Sequence, residues 1–311
     1  MQTSFPRWLL LALATSAAAC QEPAPRPAPS AAAPAPALAP AEELKLPKRP
    51  GSIRFAVIGD SGRGPPPQYE VSARMQAFRG VFGYDFVVML GDNVYDGGTP
   101  EDYRRKFELP YAPLIQGGVE FYAVLGNHDD PEQYRYPPFN MEGHRYYTFK
   151  PDRPLVGALT GSDVRFFMLD TENLDRLQRA WLERSLVDSD TGWKIAVCHR
   201  PLYTSGRYGL PARRFRDVLE PILVRHGVSV VFSGHEHFYE RIHPQKGITY
   251  FISGGAGSLR QGDIRRTDLT AAGFDQDYHF MLVEVAGDEM YFQAISRTGA
   301  TVDHGMLRRR K

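Results

Sequence analysis

The chain is poor in cysteine, carries almost no net charge and has no apolar run long enough to cross a membrane. Only two cysteines, Cys20 and Cys198, occur in 311 residues, so no disulfide framework can be assigned. The net charge of +1 argues against a surface built for nucleic acids or for acidic partners. The N-terminal apolar run, residues 8–14, is shorter than the roughly 20 residues that a membrane span requires. With 42% hydrophobic residues, the chain nevertheless has ample material for a large core.

The first residues predict export. Residues 1–19 combine Arg7, an apolar run and a series of small side chains, which is typical of a signal peptide. The junction is similar to a bacterial lipoprotein signal, in which the chain is cut before a cysteine, here Cys20, that is then acylated. The alternative is ordinary cleavage after Ala19, which leaves Cys20 as an incidental thiol. We therefore expect a lipoprotein of the bacterial cell envelope that touches the membrane only through Cys20, or else a secreted protein.

The next segment predicts a tether. Residues 20–50 are dominated by proline and alanine and hold few large apolar side chains. Such a segment cannot bury enough surface to offset its ordering entropy, so we expect it to be disordered. Folding is expected to begin near Ile53, and residues 51–311 are expected to form a single domain. Within that domain, Cys198 ends an apolar run and is interpreted as a buried residue.

Five short apolar runs predict buried strands. They are residues 53–58, 86–90, 121–125, 193–198 and 228–233. Runs of this length, rich in β-branched and large apolar side chains, are typical of strands that are covered on both faces. Because helical patterns separate them, the sequence predicts an α/β protein whose mixed β-sheets are flanked by helices.

Two helices and a hairpin can also be predicted. Residues 174–186 place Leu174, Leu177, Trp181 and Leu182 on one helical face. Residues 211–226 form a second amphipathic pattern, in which Pro221 is expected to bend or split the helix. Residues 280–285 and 290–295 are expected to pair as a hairpin. Residues 254–277 are interpreted as a long loop, which makes them candidates for a functional role.

Each of the five apolar runs is followed by polar side chains. In chain order these are Asp60, Asp92, Asn127, His199, His235 and His237. Taken singly, each has an ordinary explanation as a turn residue, a cap or a hydrogen-bonded histidine. The carboxyl ends of parallel strands share one edge of a sheet, where α/β proteins place their ligands. Carboxylates clustered there would repel one another unless cations lay between them.

The combination of donors predicts a transition-metal centre. Carboxylates, an amide oxygen and imidazoles suit zinc, iron or manganese, whereas calcium prefers oxygen ligands alone. The number of donors exceeds what one ion needs. A pair of ions requires a bridging carboxylate, and Asp92, expected at the central part of this sheet edge, is the candidate.

The same residues carry a family resemblance. Five sequence blocks, in order, resemble those of the purple acid phosphatases, a branch of the calcineurin-like metallophosphoesterases. The blocks are residues 59–62 (GDSG), 91–95 (GDNVY), 126–129 (GNHD), 198–199 (CH) and 234–237 (GHEH). The resemblance implies a metallophosphoesterase sandwich with a single catalytic domain.

The resemblance also implies which metals are bound. General metallophosphoesterases have a histidine two residues after the first aspartate, and here that position is Gly62. In purple acid phosphatases a tyrosine replaces it, and Tyr95 lies where that tyrosine is expected. The resemblance implies an iron(III) ion bound by Asp60, Asp92, Tyr95 and His237. It implies a divalent ion (zinc, iron or manganese) bound by Asp92, Asn127, His199 and His235.

The implied reaction is hydrolysis of a phosphate monoester. The resemblance implies in-line attack by a hydroxide held at the metal pair bridged by Asp92, with Asn127 and His128 contacting the substrate. His128 is the candidate general acid for the leaving group; its alternative is a hydrogen bond to a carboxylate such as Asp129. Arg207 and Tyr208 occupy the place where many family members carry a further substrate-facing histidine, so they are candidate substrate contacts.

Three functions remain open from the sequence. The first is an exported acid phosphatase with an iron(III)/divalent centre. The second is a phosphodiesterase or nucleotide hydrolase that uses two divalent ions on the same fold. The third is a surface lipoprotein that has kept the fold without activity.

Overall fold

The computed structural model describes residues 1–2, 43–64, 66–151 and 163–310. Most of the predicted signal peptide, Cys20 and the predicted tether up to residue 42 lie outside the described residues. Among the described residues, no helix has both the length and the apolar character that a membrane crossing requires.

The described chain contains thirteen strands and five α-helices. The strands are β1 Ile53–Ile58, β2 Phe86–Met89, β3 Glu120–Ala123, β4 Tyr147–Phe149, β5 Val164–Leu169, β6 Trp193–Cys198, β7 Val230–Ser233, β8 Tyr239–Gln245, β9 Ile248–Ser253, β10 Thr270–Phe274, β11 His279–Ala286, β12 Glu289–Ser296 and β13 Thr301–Arg308. The helices are α1 Pro66–Phe82, α2 Pro100–Tyr103, α3 Leu109–Gln116, α4 Arg176–Val187 and α5 Gly209–Arg225, with a π-helical turn Arg104–Glu108 and 3₁₀ turns Gln133–Arg135 and Pro137–Phe139.

The strands form two mixed sheets. The first has six strands in the order β13-β12-β11-β1-β2-β3, of which β1, β2 and β3 run parallel. The second has seven strands in the order β10-β8-β9-β7-β6-β5-β4, with β5, β6, β7 and β9 parallel. The predicted hairpin is confirmed as the antiparallel pair β11 and β12. The predicted α/β class with helix-flanked mixed sheets is also confirmed.

Aromatic side chains fill the space between the sheets. The ring of Phe55 on β1 stacks on Phe86 of the same sheet, with 5.2 Å between centroids. It also meets two rings of the opposite sheet edge-on, Phe166 at 5.3 Å and Phe232 at 6.2 Å. All four side chains are buried. Edge-to-face and offset contacts of this kind favour a sandwich with one continuous core.

A second apolar cluster covers the outer face of the seven-stranded sheet, where α4 and α5 contribute Leu182 and Leu219. Cys198 lies in this cluster as a buried free thiol, in agreement with its interpretation from the sequence. Helix α5 continues through Pro221, so the predicted split does not occur.

The predicted buried face of α4 is partly wrong. Leu177 is 72% exposed, whereas Gln178 is buried. The side chain of Gln178 donates hydrogen bonds to the backbone carbonyls of Asp170 and Asn173, at 2.8 and 3.1 Å. It also accepts one from the backbone amide of Asp170. A polar side chain can be buried when its hydrogen bonds are all made. In α4 the buried face therefore includes Gln178 instead of Leu177.

The folded part begins earlier than the composition indicates. Leu46, within the segment assigned to the tether, is only 5% exposed and belongs to the main core. The backbone amide of Lys45 donates to Gln293 on β12, and that of Lys48 donates to Glu284 on β11, both at 2.8 Å. One leucine and two backbone hydrogen bonds thus attach residues 45–48 to the first sheet.

Replacing Leu46 tests this attachment. Leu46→Ala should lower the free energy of unfolding by about 2–3 kcal/mol, because it removes a buried side chain from the core. Leu177→Ala is the matched control and should change it by less than about 0.5 kcal/mol, because Leu177 is exposed. Urea unfolding followed by circular dichroism measures both; equal, small effects would show that residues 45–48 do not contribute to the core.

Candidate metal centre

The two sheets meet at the edge where their parallel strands end, which we call the rim. The backbone amide of His235, after β7, donates to the carboxylate of Asp60, after β1, with N and Oδ2 2.8 Å apart. The imidazole of His199, after β6, lies 2.9 Å from the carbonyl oxygen of Leu90, after β2. These two hydrogen bonds cross from one sheet to the other. The polar side chains that follow the strands are therefore brought together.

Three rim residues have a left-handed backbone. The φ angles of Asp60, Asp92 and His235 are 53°, 51° and 69°. Aspartate and histidine are among the few residues other than glycine that are enriched in this region, although both still bear part of its steric cost. The sharp reversal after each strand turns these side chains back over the rim instead of along the strand.

Two glycines lack the side chain that would otherwise overlap the carboxylates of Asp92 and Asp60. A Cβ atom at Gly126 would lie 2.2 Å from both the backbone nitrogen and Oδ1 of Asp92. A Cβ atom at Gly234 would lie 2.6 Å from Oδ2 of Asp60. Neither distance is possible for a real side chain. The glycines that begin these blocks are thus required by close approach, in addition to their role in the turn.

The tyrosine cluster comprises Asp60, Tyr95 and His237. The phenol oxygen of Tyr95 lies 3.3 Å from Asp60 Oδ1 and 3.1 Å from His237 Nε2. His237 Nε2 is 3.2 Å from Asp60 Oδ1. Three donor atoms of different chemistry therefore point at a common space, and all three side chains are buried.

The amide cluster comprises Asn127, His199 and His235. His199 Nε2 lies 3.1 Å from Asn127 Oδ1 and 3.2 Å from His235 Nδ1. A backbone carbonyl only accepts hydrogen bonds, so the contact with Leu90 keeps the proton of His199 on Nδ1. Nε2 is then the nitrogen that is available to a metal.

Asp92 lies between the two clusters. Its Oδ1 is 3.5 Å from His199 Nε2 of the amide cluster. Ligand atoms of Asp60, Asp92 and His237 all lie within 4.8 Å of one another. The backbone amide of His128 donates to Asp92 Oδ1 at 2.9 Å and fixes the carboxylate in this place. A carboxylate in this position could contact an ion in either cluster.

The electrostatics of the centre call for cations. Burial, followed by the carboxylates of Asp60 and Asp92, raises the pKa of Tyr95, so its phenolate forms only beside a strong positive charge. Burial and the nearby charge of Asp92 raise the pKa of Asp129 to about 7. Within the described chain, the donor set of two carboxylates, a phenol, an amide and three imidazoles fits a pair of transition-metal ions.

His128 lies at the entrance to the centre. Its side chain is 43% exposed, and its Nδ1 is 3.2 Å from Asp96 Oδ1. The alternative that the sequence left open, a hydrogen bond to a carboxylate, is formed with Asp96; among the described residues no such bond joins His128 to Asp129. Asp129 instead accepts from the backbone amides of Val94 and Gly126, at 2.9 and 2.8 Å.

The structure places Arg207 and Tyr208 on the side of His235. Arg207 forms an ion pair with Asp263, with Nη2 and Oδ1 2.7 Å apart. The ring of Tyr208 packs on the imidazole of His235, with 4.3 Å between centroids. Arg207 is therefore already paired, and Tyr208 contacts a predicted metal ligand through its ring.

Sequence reasoning missed several charged residues around the centre. Arg200 directly follows His199; its Nη1 lies 3.2 Å from His235 Nε2, and Glu172 holds it through two hydrogen bonds of 2.8 Å. Arg63 directly follows the first block and lies over the ring of Tyr95. For Arg200 and Arg63, the only indication in the sequence is that each directly follows a motif residue. The side chain of Glu236, between the two histidines, is buried and accepts from the backbone amide of Tyr208 at 2.9 Å.

Comparison with known proteins decides the family. The sequence profile of the calcineurin-like phosphoesterase family matches residues 53–239, which contain all five sequence blocks. This chain belongs to that family.

Its relatives include purple acid phosphatases, as the sequence blocks predict. Purple acid phosphatase 17 of Arabidopsis thaliana is 30% identical over 246 residues, which cover 70% of this chain and 72% of that protein. Human tartrate-resistant acid phosphatase type 5 is 23% identical over 304 residues, covering 83% and 92%. The predicted resemblance to this branch is confirmed.

Solved structures show the same fold. GAP50, described as the anchor in the inner membrane complex of Plasmodium, superimposes with a TM-score of 0.72 at 20% identity, covering 84% of this chain and 90% of that chain. The purple acid phosphatase PPD1 of yellow lupin superimposes with a TM-score of 0.67 at 18% identity, covering 85% and 55%. At these identities the likeness concerns the fold alone.

A methyl group at Gly126 tests whether the rim holds metal. Gly126→Ala should displace Asp92 and remove most of the bound metal, because the added Cβ would overlap its carboxylate. Gly80→Ala is the matched control, since a Cβ there meets nothing within 4 Å. Metal per chain, measured by inductively coupled plasma mass spectrometry after purification, should stay at the wild-type value in the control. Full metal content in Gly126→Ala would argue against a centre built on Asp92.

Proposed function

We propose that this protein is an acid phosphatase that hydrolyses phosphate monoesters at a centre of iron(III) and one divalent metal (zinc, iron or manganese). The observation that carries the proposal is the position of the Tyr95 phenol, 3.3 Å from Asp60 Oδ1 and 3.1 Å from His237 Nε2. A phenolate is a hard anionic donor that favours a trivalent ion. It has no evident function in a centre of two ordinary divalent ions.

The residues divide between two ion positions. Asp60, Tyr95 and His237 would hold the trivalent ion, Asn127, His199 and His235 the divalent ion, and Asp92 would contact both. When bound, such a pair supplies a nucleophile at or below neutral pH and neutralises charge on the phosphoryl oxygens. The cluster distances of 3.1 to 3.5 Å between donor atoms support this division.

His128 would donate the proton to the leaving oxygen. Asp96 is a carboxylate and accepts from Nδ1 of His128, so Nε2 is the nitrogen left to face the substrate, and it has a proton to give only in the imidazolium form, in which both ring nitrogens are protonated. The backbone amide of His128 is bound to Asp92, which fixes the imidazole beside the proposed metal bridge. Its partial exposure gives a substrate direct access. A positioned imidazole of this kind contributes general acid catalysis.

The substrate contacts are proposed at the same entrance. Asn127 precedes His128 and directs its amide oxygen into the centre, so its amide nitrogen is the group that can donate to a phosphoryl oxygen. Tyr208 is held over His235 and can present its hydroxyl to the substrate. Arg207 would have to leave Asp263 to contact a phosphate, so we assign it a role only after substrate binds.

Two variants test the proposed function. Wild-type protein loaded with iron(III) and zinc should be purple and should hydrolyse p-nitrophenyl phosphate. Tyr95→Phe should lose the colour, because the phenolate donor of the charge-transfer band is gone. His128→Ala should keep its metal and its colour but lose about 100-fold or more in kcat, because only the proton donor is missing.

Other outcomes identify the competing functions. A colourless protein that is active with two zinc ions and prefers bis-p-nitrophenyl phosphate would be a phosphodiesterase. A protein that binds metal and hydrolyses neither ester would be a non-catalytic member of the fold.

We also propose that the protein is exported and is acylated on Cys20, as the N-terminal sequence predicts. The support is the signal-like composition of residues 1–19 and the position of the cysteine directly after it. Expressed in a bacterium, wild type should partition with membranes and Cys20→Ala should appear in the soluble envelope fraction. Mass spectrometry should find Cys20 at the mature N-terminus with attached acyl chains; a mature chain that begins at an unmodified Cys20 would contradict acylation.

A further inference from the structure

The phenol oxygen of Tyr95 has a third partner beyond the two predicted ligands. The hydroxyl of Ser258, in the long loop after β9, lies 3.3 Å from it. The guanidinium of Arg63 lies over the tyrosine ring, with 3.9 Å between Cζ and the ring centroid. Arg63 Nε also donates to Ser258 Oγ at 2.9 Å. Arg63 therefore approaches Tyr95 twice, directly through its charge and indirectly through Ser258.

The direction of these hydrogen bonds is fixed by chemistry. An arginine has donors and no acceptor, so Ser258 Oγ must accept from Arg63. The single hydroxyl proton of Ser258 is then free to point at the oxygen of Tyr95. Ser258 is buried, so bulk water does not compete for this arrangement. Ser258 Oγ keeps a second lone pair and can still accept from a protonated Tyr95, but a phenolate has no proton to give, so beside the phenolate Ser258 is the donor.

The backbone around these residues leaves little freedom. A Cβ at Gly62 would lie 1.9 Å from the carbonyl oxygen of Asn93, and one at Gly257 would lie 2.2 Å from that of Ser61. The three segments that carry Arg63, Tyr95 and Ser258 are therefore in backbone contact. Among the residues that the structure describes, no carboxylate pairs with Arg63, so its charge over the ring is not neutralised.

We propose that Arg63 and Ser258 are positioning residues that weaken electron donation from Tyr95 to the trivalent ion. This inference rests on the proposed function, because it requires iron(III) on Tyr95. A cation over the ring and a hydrogen bond to the oxygen both stabilise the filled orbitals of the phenolate. The energy gap to the empty iron orbitals is then wider, so the charge-transfer band lies at shorter wavelength. A weaker phenolate donor also stabilises iron(III) less strongly relative to iron(II). The reduction potential of the iron is therefore higher.

Charge and bulk can be separated at position 63. Arg63→Met keeps an unbranched side chain for packing on Tyr95 and removes the cation, whereas Arg63→Lys keeps a cation. Ser258→Ala removes the hydrogen bond and leaves Arg63 in place. Arg104→Met is the matched control, because Arg104 is an exposed arginine paired with Glu101 on the surface. All variants are prepared as full-length protein loaded with iron(III) and zinc, and their metal content is verified.

The readouts are the position of the visible band and an electrochemical titration. In Arg63→Met the band should move to longer wavelength. At a fixed applied potential, the ratio of oxidised to reduced iron should rise about two- to fivefold, the equilibrium change that an exposed cation–π contact amounts to. Ser258→Ala should also move the band to longer wavelength and raise the ratio of oxidised to reduced iron. Arg63→Lys and Arg104→Met should resemble wild type.

The outcomes separate this inference from the proposed function. A band that keeps its position in both Arg63→Met and Ser258→Ala, with full metal content, would overturn the inference alone. Wild-type protein that binds iron(III) without any charge-transfer band would overturn both, because Tyr95 would then not be a ligand. If Arg63→Met fails to fold, Ser258→Ala still decides the matter, since it removes only one hydroxyl group.

Discussion

The hydrogen bond from the backbone of His235 to the carboxylate of Asp60 is the contact on which the candidate centre depends. It joins the ends of β7 and β1, which belong to different sheets, and so holds the two sheet edges together at the rim. Without that contact the tyrosine cluster would lose the segment between β7 and β8 that carries His237. Asp60 has a double function, because one carboxylate oxygen organises the backbone and the other faces Tyr95.

This join also explains why the centre is asymmetric. The first sheet supplies the carboxylates and the phenol, and the second supplies the imidazoles. Asp92 comes from the first sheet but reaches His199 of the second, so it lies where the two donor types meet. The tyrosine cluster offers two oxygen donors and one nitrogen, and the amide cluster one oxygen and two nitrogens, which supports the proposal of two different ions.

Local patterns in the sequence predict the strands and the side chains that follow them, because burial and the period of a strand act over a few neighbouring residues. The blocks containing Asp60, Asp92 and His199 could be found in this way. The pairing of Arg63 with Ser258 could not, since 195 positions separate them and only the assembled loops bring them together. The burial of Gln178 in place of Leu177 was missed for a related reason, because its hydrogen-bond partners lie outside the helix. Leu46 was missed because a single apolar residue forms no pattern.

The left-handed backbone at the rim lowers the stability of the fold. A residue other than glycine in this conformation costs about 1–2 kcal/mol, and His235, with φ of 69°, bears part of that cost. A copy of this chain released from catalysis could therefore gain stability by exchanging His235 for glycine. Under the proposed function, the stability of the fold and the binding of metal therefore act in opposite directions at His235.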